Sequence, residues 1–205
     1  MDWLKNERGL TVETIKHHKL GWLHENHYRD RSSWGLNGDK KLFIPAGLVI
    51  PFIEKKTLRI RIRRDKQGDY GKYYVLPGSS SAPMIIGGKG NPAIIVESEL
   101  DAILLSQEIR NPFTIIAMGS AQIKPDEKLP AELKAAPFIF ICLDSDNAGA
   151  KQAHNYWLET FDNAVRVPIP KKYGKDPTEA HMNGLDLNYI VDVGYEFVTE
   201  MEQPK

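Results

Sequence analysis

Cysteine is almost absent from this chain: among 205 residues there is one, Cys142. A lone thiol excludes an internal disulfide framework and any zinc site built on two or four cysteines, and it fits a reducing compartment, the cytoplasm. An excess of either charge is also lacking, since 27 Lys and Arg balance 27 Asp and Glu. With no bulk field, a polyanion has to be met by a local patch. No apolar run approaches the ~20 residues that a membrane-spanning helix requires, and the start, MDWLKNERGL, has no apolar signal core. No membrane partner is expected. Internal repeats are missing too. What is present is a 41% apolar composition, enough at this length for one or two packed cores.

The character of the sequence changes near SSSAPMIIGGKGNP, residues 79–92, a stretch rich in Ser, Gly and Pro. Before it, LTVETIKHHKL predicts a short helix with Thr11 as N-cap, and KKLFIPAGLVIPFI, KTLRIRIRRD and KYYVLPG predict several strands. After it, apolar runs alternate with helical patterns: AIIVE, SELDAILLSQEIR, TIIAMG, DEKLPAELKAA, FIFICLD, AGAKQAHNYWLETF, AVRVPI. Such alternation predicts βαβ units. The fold class expected is α/β, a mostly parallel sheet flanked by helices, preceded by a smaller α+β subdomain. Residues 1–90 form the first part, 91–180 the second, and 181–205 a tail or short helix.

In an open parallel sheet, groups at the carboxyl ends of the strands converge on the edge where ligands bind. Glu97 closes the first run, Gly119 the second and Asp144 the third, and Asp176 follows the fourth across PIPKKYGK. Asp144 and Asp146 stand two apart, so in extended backbone both face one way while Ser145 turns aside. Carboxylates brought that close repel each other, and a hard cation is the usual remedy. Gly149 is expected to let the chain turn into the next helix. Duller readings stand beside these. The Asp-x-Asp pair also fits a solvated strand end with a helix cap. Ser98 and Asp101 have capping-box spacing, so Asp101 also fits a role in closing its helix's first turn. Glu99 reads as a surface residue, Cys142 as core, and the His17, His18, His24, His27 group as solvated rather than metal-binding.

Local positive charge sits in the first part. In KTLRIRIRR, Leu58, Ile60 and Ile62 alternate with Arg59, Arg61 and Arg63, which predicts one apolar strand face and one guanidinium face. From Glu54 to Lys72 there are eight basic residues and three acidic ones, an excess of five positive charges. Arginine grips phosphate in bidentate fashion, so a nucleic-acid or nucleotide surface is expected here. An ordinary exposed strand fits the same residues.

VESELDA (96–102), MGSAQ (118–122), LDSDNAGAKQA (143–153) and KDP (175–177) resemble the successive motifs of the TOPRIM domain: strand-end glutamate, glycine turn, Asp-x-Asp pair and later acid. Upstream, RGLTVETIKHHKLGW (8–22), LVIPF (48–52), the arginine-rich strand and KYYVLPGS (72–79) resemble, in that order, the amino-terminal subdomain of bacterial-type DNA primase catalytic cores. The likeness implies a TOPRIM-type sheet and a primase-like nucleotidyltransferase that makes a short RNA primer on single-stranded DNA. It implies Mg²⁺ or Mn²⁺ as cofactor, nucleoside triphosphates as substrates and a replicative helicase as a further partner. Glu97 would serve in acid/base or metal-binding chemistry, Asp144 and Asp146 as central metal ligands, and Asp101 and Asp176 in support. Arg63, Arg64 and Lys72 match the region that meets template, nucleotide or nascent RNA. Lys151 and Lys175, beside the acidic motifs, join Arg59 and Arg61 as further nucleic-acid or nucleotide contacts.

Two positions depart from the family pattern. Ser98 stands where a glycine commonly follows the first glutamate, and Thr178 stands where a second acid commonly follows KDP, with Glu179 next. No zinc-binding domain precedes residue 8, and the residues after Glu179 are too few for the helical subdomain that usually closes such cores. A fragment, or a minimal phage- or plasmid-type relative, is expected on that ground. The acids alone also suit a TOPRIM nuclease, and the missing parts suit a non-catalytic single-strand-binding module. A topoisomerase needs far more chain, and a haloacid dehalogenase wants Thr or Val after its acid pair.

Overall fold

In the computed structural model, residues 2–54, 57–66, 71–119, 131–146, 151 and 153–202 are described. The chain divides into two compact units, one of residues 11–82 and one of residues 2–10 with 83–205. The first helix, α1 (Asp2–Asn6), therefore belongs with the second unit.

In the first unit Thr11 caps α2 (Val12–His17) as the sequence predicts, its Oγ1 accepting from the Thr14 N–H at 3.1 Å. The strands that follow are β1 (Gly21–Leu23), β2 (His27–Arg29), β3 (Leu42–Ile44), β4 (Gly47–Glu54), β5 (Thr57–Arg64) and β6 (Tyr73–Val75). Four make an antiparallel sheet in the order β1-β4-β5-β6, and β2 pairs with β3. Gly47, at φ 143°, is needed where β4 passes β5: a Cβ there would lie 2.2 Å from the Arg63 carbonyl oxygen. Leu42, Ile44, Ile62 and Leu76 form this unit's core.

The second unit carries the predicted alternation. Its elements are β7 (Met84–Ile86), β8 (Ala93–Val96), α3 (Glu99–Glu108), β9 (Thr114–Ala117), α4 (Ala131–Lys134), β10 (Ile139–Ile141), β11 (Ala164–Arg166), α5 (Pro177–Met182) and α6 (Asn188–Glu202). The sheet runs β11-β10-β8-β9-β7, with β8 parallel to β9 and β10, β10 parallel to β11, and β7 antiparallel at the edge. All residues of β8, β9 and β10 are buried, as strands covered on both faces require. Each buried isoleucine there contributes roughly 1.5–3 kcal/mol of burial free energy.

Three details depart from the sequence expectations. The Ser/Gly/Pro-rich stretch contains β7, which joins the second unit's sheet. Ala153–Leu158, expected as an α-helix, has π-type hydrogen bonding, and its Trp157 is fully buried in the core. The end of the chain holds the 15-residue α6. The expected turn at Gly149 lies outside the described residues.

Candidate active site

The chain leaves β8 for β9 on one side and returns to β10 on the other, so the strand order reverses around β8. Ligands of open α/β sheets bind beyond the carboxyl ends at such a reversal. Glu97 is the residue after β8. On the neighbouring strand Ile141 pairs with Ile95, and the Cys142 N–H donates to the Ile95 carbonyl at 2.9 Å. That register carries Asp144, three residues beyond β10, to the rim at which Glu97 follows β8. The Gly119 N–H donates to the Glu97 carbonyl at 2.7 Å, which brings the glycine turn after β9 to the same edge.

Ser145, between the paired acids, has its own task. Its N–H donates to the Lys175 carbonyl at 2.8 Å and its hydroxyl to the Ile169 carbonyl at 3.2 Å. These bonds tie the long segment after β11 to the rim and deliver Lys175 and Asp176 there. Asp176 then caps α5, its Oδ1 accepting from the Glu179 N–H at 2.8 Å, while Glu179 Oε2 accepts from the Lys175 N–H at 3.1 Å.

The electrostatics record the convergence. The Asp144 carboxyl is pushed up to about 7, first by burial and then by the negative charges of Glu97, Asp101 and Asp176, with Lys175 opposing. Asp101 is also raised, by burial and by Asp176, against the pull of hydrogen bonds from Ser98 and Thr178 and of the Arg8 charge. Four of the five predicted acids therefore act on one another. Asp146 lies two residues further out and is exposed.

Asp101 is only 4% exposed, and protein donors occupy both its oxygens. Oδ1 accepts from the Thr178 hydroxyl at 2.5 Å and the Thr178 N–H at 3.3 Å, and Oδ2 accepts from the Ser98 hydroxyl at 2.5 Å. Ser98 is also the N-cap of α3, accepting from the Asp101 N–H. Sequence reasoning saw the cap but not the reach to Thr178, which is 77 residues away. Glu99, expected on the surface, is 1% exposed: the helix's second face is also covered. Cys142 packs in the core as expected, and burial raises its thiol strongly.

The arginine strand differs from its expected open face. Arg59 and Arg61 are 6% and 8% exposed, whereas Leu58 on the nominally apolar side is 48% exposed. Arg59 Nη1 donates to the Ala82 carbonyl at 2.8 Å, and the Arg61 guanidinium lies over the Tyr73 ring at 3.9 Å. Arg63 and Arg64 are half-buried and Lys72 is exposed. Arg64 sits over Tyr74 at 5.3 Å and bonds the Gly71 carbonyl. Arg64, Lys66 and Tyr74 line a cavity of about 890 Å³ together with His24, Tyr28 and Phe43. Lys151 is exposed. His18 is half-buried, which with the adjacent His17 lowers its imidazole to about 4.

Oxygen donors that repel one another suit a hard divalent cation in kind. Among the described residues, no group of three or more His, Cys, Asp or Glu side chains already stands in an arrangement that would hold an ion. Among them, too, no helix is long and apolar enough to cross a membrane.

A family model for Toprim-like proteins matches residues 94–181. No curated protein matches the sequence. Among solved structures, a DNA primase domain from Pseudomonas aeruginosa is similar at TM-score 0.64 and 19% identity, over 86% of this chain and 65% of that one. The RNA polymerase domain of Mycobacterium tuberculosis primase DnaG, in complex with a double-stranded DNA with a 6-nucleotide overhang, is similar at 0.64 and 14%, over 96% and 74%. The primase fragment of the bacteriophage T7 primase-helicase is similar at 0.51 and 17%, over 91% and 72%. The chain thus spans just under two thirds of the first of these structures. Residues 94–181 are a Toprim-like domain, in a chain that has the fold of a DNA primase catalytic core.

Proposed function

We propose that this protein is a primase-like, DNA-dependent nucleotidyltransferase that joins nucleotides into a short RNA primer on single-stranded DNA. The observation that carries the reading is the placement of Asp144 beside Glu97 at the carboxyl ends of adjacent parallel strands, with Asp176 close enough to raise it. A site that concentrates negative charge at the switch point of a primase-type fold is arranged for phosphoryl chemistry. Glu97, Asp144 and Asp146 would hold Mg²⁺ or Mn²⁺, with Asp101 and Asp176 in support. Bound there, the ions would offset charge on the triphosphate and activate a 3′-hydroxyl.

The chain's own residues mostly position. Lys175, whose charge opposes the acids at Asp144, would meet a phosphate. Arg63, Arg64 and Lys72 would contact template or nucleotide, Arg64 from the cavity it lines with Tyr28 and Tyr74. The buried Arg59 and Arg61 would support that strand from within. Single-stranded DNA and nucleoside triphosphates are the partners this reading requires, and its place is the cytoplasm. The Mycobacterium likeness, a complex with overhanging DNA, supports the first partner. The T7 likeness, part of a primase-helicase, supports a replicative helicase as another.

The test is nucleotide incorporation on unprimed circular single-stranded DNA with Mn²⁺ or Mg²⁺. The unaltered chain should make short products, and Asp144→Ala should lower the yield at least about 100-fold with its fold intact. Cleavage of labelled strands without nucleotides would assign hydrolysis instead. Tight strand binding unaffected by EDTA, with no product, would assign a binding module.

A further inference from the structure

We infer that Asp101, Ser98 and Thr178 form a clasp that fixes the two flanks of the acidic rim, and that Asp101 is a positioning residue rather than a metal ligand. The inference rests on the proposed function and refines its metal set. Asp101 lies in the first turn of α3, whose N-cap Ser98 directly follows Glu97. Thr178 lies in the first turn of α5, two residues after its N-cap Asp176. The Asp101 carboxylate joins the two helix starts: Oδ1 takes the Thr178 hydroxyl at 2.5 Å and its N–H at 3.3 Å, and Oδ2 takes the Ser98 hydroxyl at 2.5 Å. Three donors act on two oxygens in a place solvent scarcely reaches, 4% exposed. An ion entering from the rim would have to displace them, and the two displaced Thr178 donors would be left buried without a partner.

The two residues that depart from the family pattern, Ser98 and Thr178, are the two that hold Asp101. A hydroxyl at 178 donates where a second carboxylate would repel. The clasp therefore places Glu97 through the start of α3, and Lys175 and Asp176 through the start of α5, on either side of Asp144. The ligand set contracts to Glu97, Asp144 and Asp146, with Asp176 at the margin.

Four proteins test this: the unaltered chain, Asp101→Asn, Thr178→Val and Thr178→Ser. Each is checked for folding by its melting curve. Bound Mn²⁺ is counted by the magnetic resonance signal of free Mn²⁺, turnover is followed on single-stranded DNA, and amide hydrogen exchange is read over residues 97–101 and 175–179. Asp101→Asn and Thr178→Val should bind as many ions as the unaltered chain while turnover falls roughly 10–100-fold, the range for residues that orient ligands. Thr178→Ser, which keeps the hydroxyl, should restore turnover. Exchange should rise in both segments of Thr178→Val, although only one is altered. Loss of an ion in Asp101→Asn would overturn the inference, as would unchanged turnover in Thr178→Val. If the unaltered chain neither binds Mn²⁺ nor incorporates nucleotides, the proposed function fails and exchange alone decides. Opening of both segments then upholds the clasp, and opening confined to 175–179 overturns it.

Discussion

Asp144 carries the electrostatic strain of the rim. Its folded carboxyl is raised to about 7 from an ordinary value near 4. The folded state therefore holds this proton more tightly than the unfolded chain does. The contribution to stability is full below the unfolded value and is lost as pH rises through about 7. Without divalent ions, the urea midpoint should fall between about pH 4 and about pH 7 more steeply in the unaltered chain than in Asp144→Asn. Mn²⁺ should remove much of that difference by binding the ionised form. Equal pH dependence in the two proteins would show that burial and the neighbouring acids do not raise Asp144. Glu97 and Asp144 were legible in the sequence because a carboxylate ending an apolar run has a fixed place in a parallel sheet. Arg59 and Arg61 were misjudged because alternation tells which side a residue takes, not what covers that side. Glu99 was misjudged for the same reason.

At the scale of elements, the βαβ alternation was legible because strands buried on both faces write themselves as continuous apolar runs. Other elements left weaker marks. β7 is three residues within a stretch whose Ser, Gly and Pro speak for a loop. The segment after β11 reaches the rim through Ser145, whose hydrogen bonds no local pattern announces. The packing of α6 on the sheet depends on a missing side chain. A Cβ on Gly194 would meet the Phe140 ring at 2.5 Å, and that ring is wholly buried and held between Phe113 and Tyr195. Gly194→Ala should therefore destabilise the protein by about 1–3 kcal/mol, the range for overpacking. The check is a lowered urea midpoint with unchanged slope. Since helix propensity alone favours alanine by up to about 1 kcal/mol, a stabilised variant would contradict the close approach.

For the whole molecule, the sequence separated a basic first part from an α/β second part, because composition and periodicity both change between them. It could not show that residues 2–10 join the second unit, since that depends on contacts across the length of the chain. One such contact is the Gln107 side chain donating to the Gly9 carbonyl at 2.9 Å. The rim has the same origin: Glu97, Asp144 and Asp176 are distant in sequence and meet only through the parallel sheet. Whether they share a cation is best tested by anomalous scattering from crystals of the full chain soaked in Mn²⁺. Manganese should lie at the rim with oxygens of Glu97 and Asp144 roughly 2.0–2.6 Å away, the range for hard cations on carboxylates. A rim without manganese at saturating concentration, or an ion held only by other residues, would contradict the account.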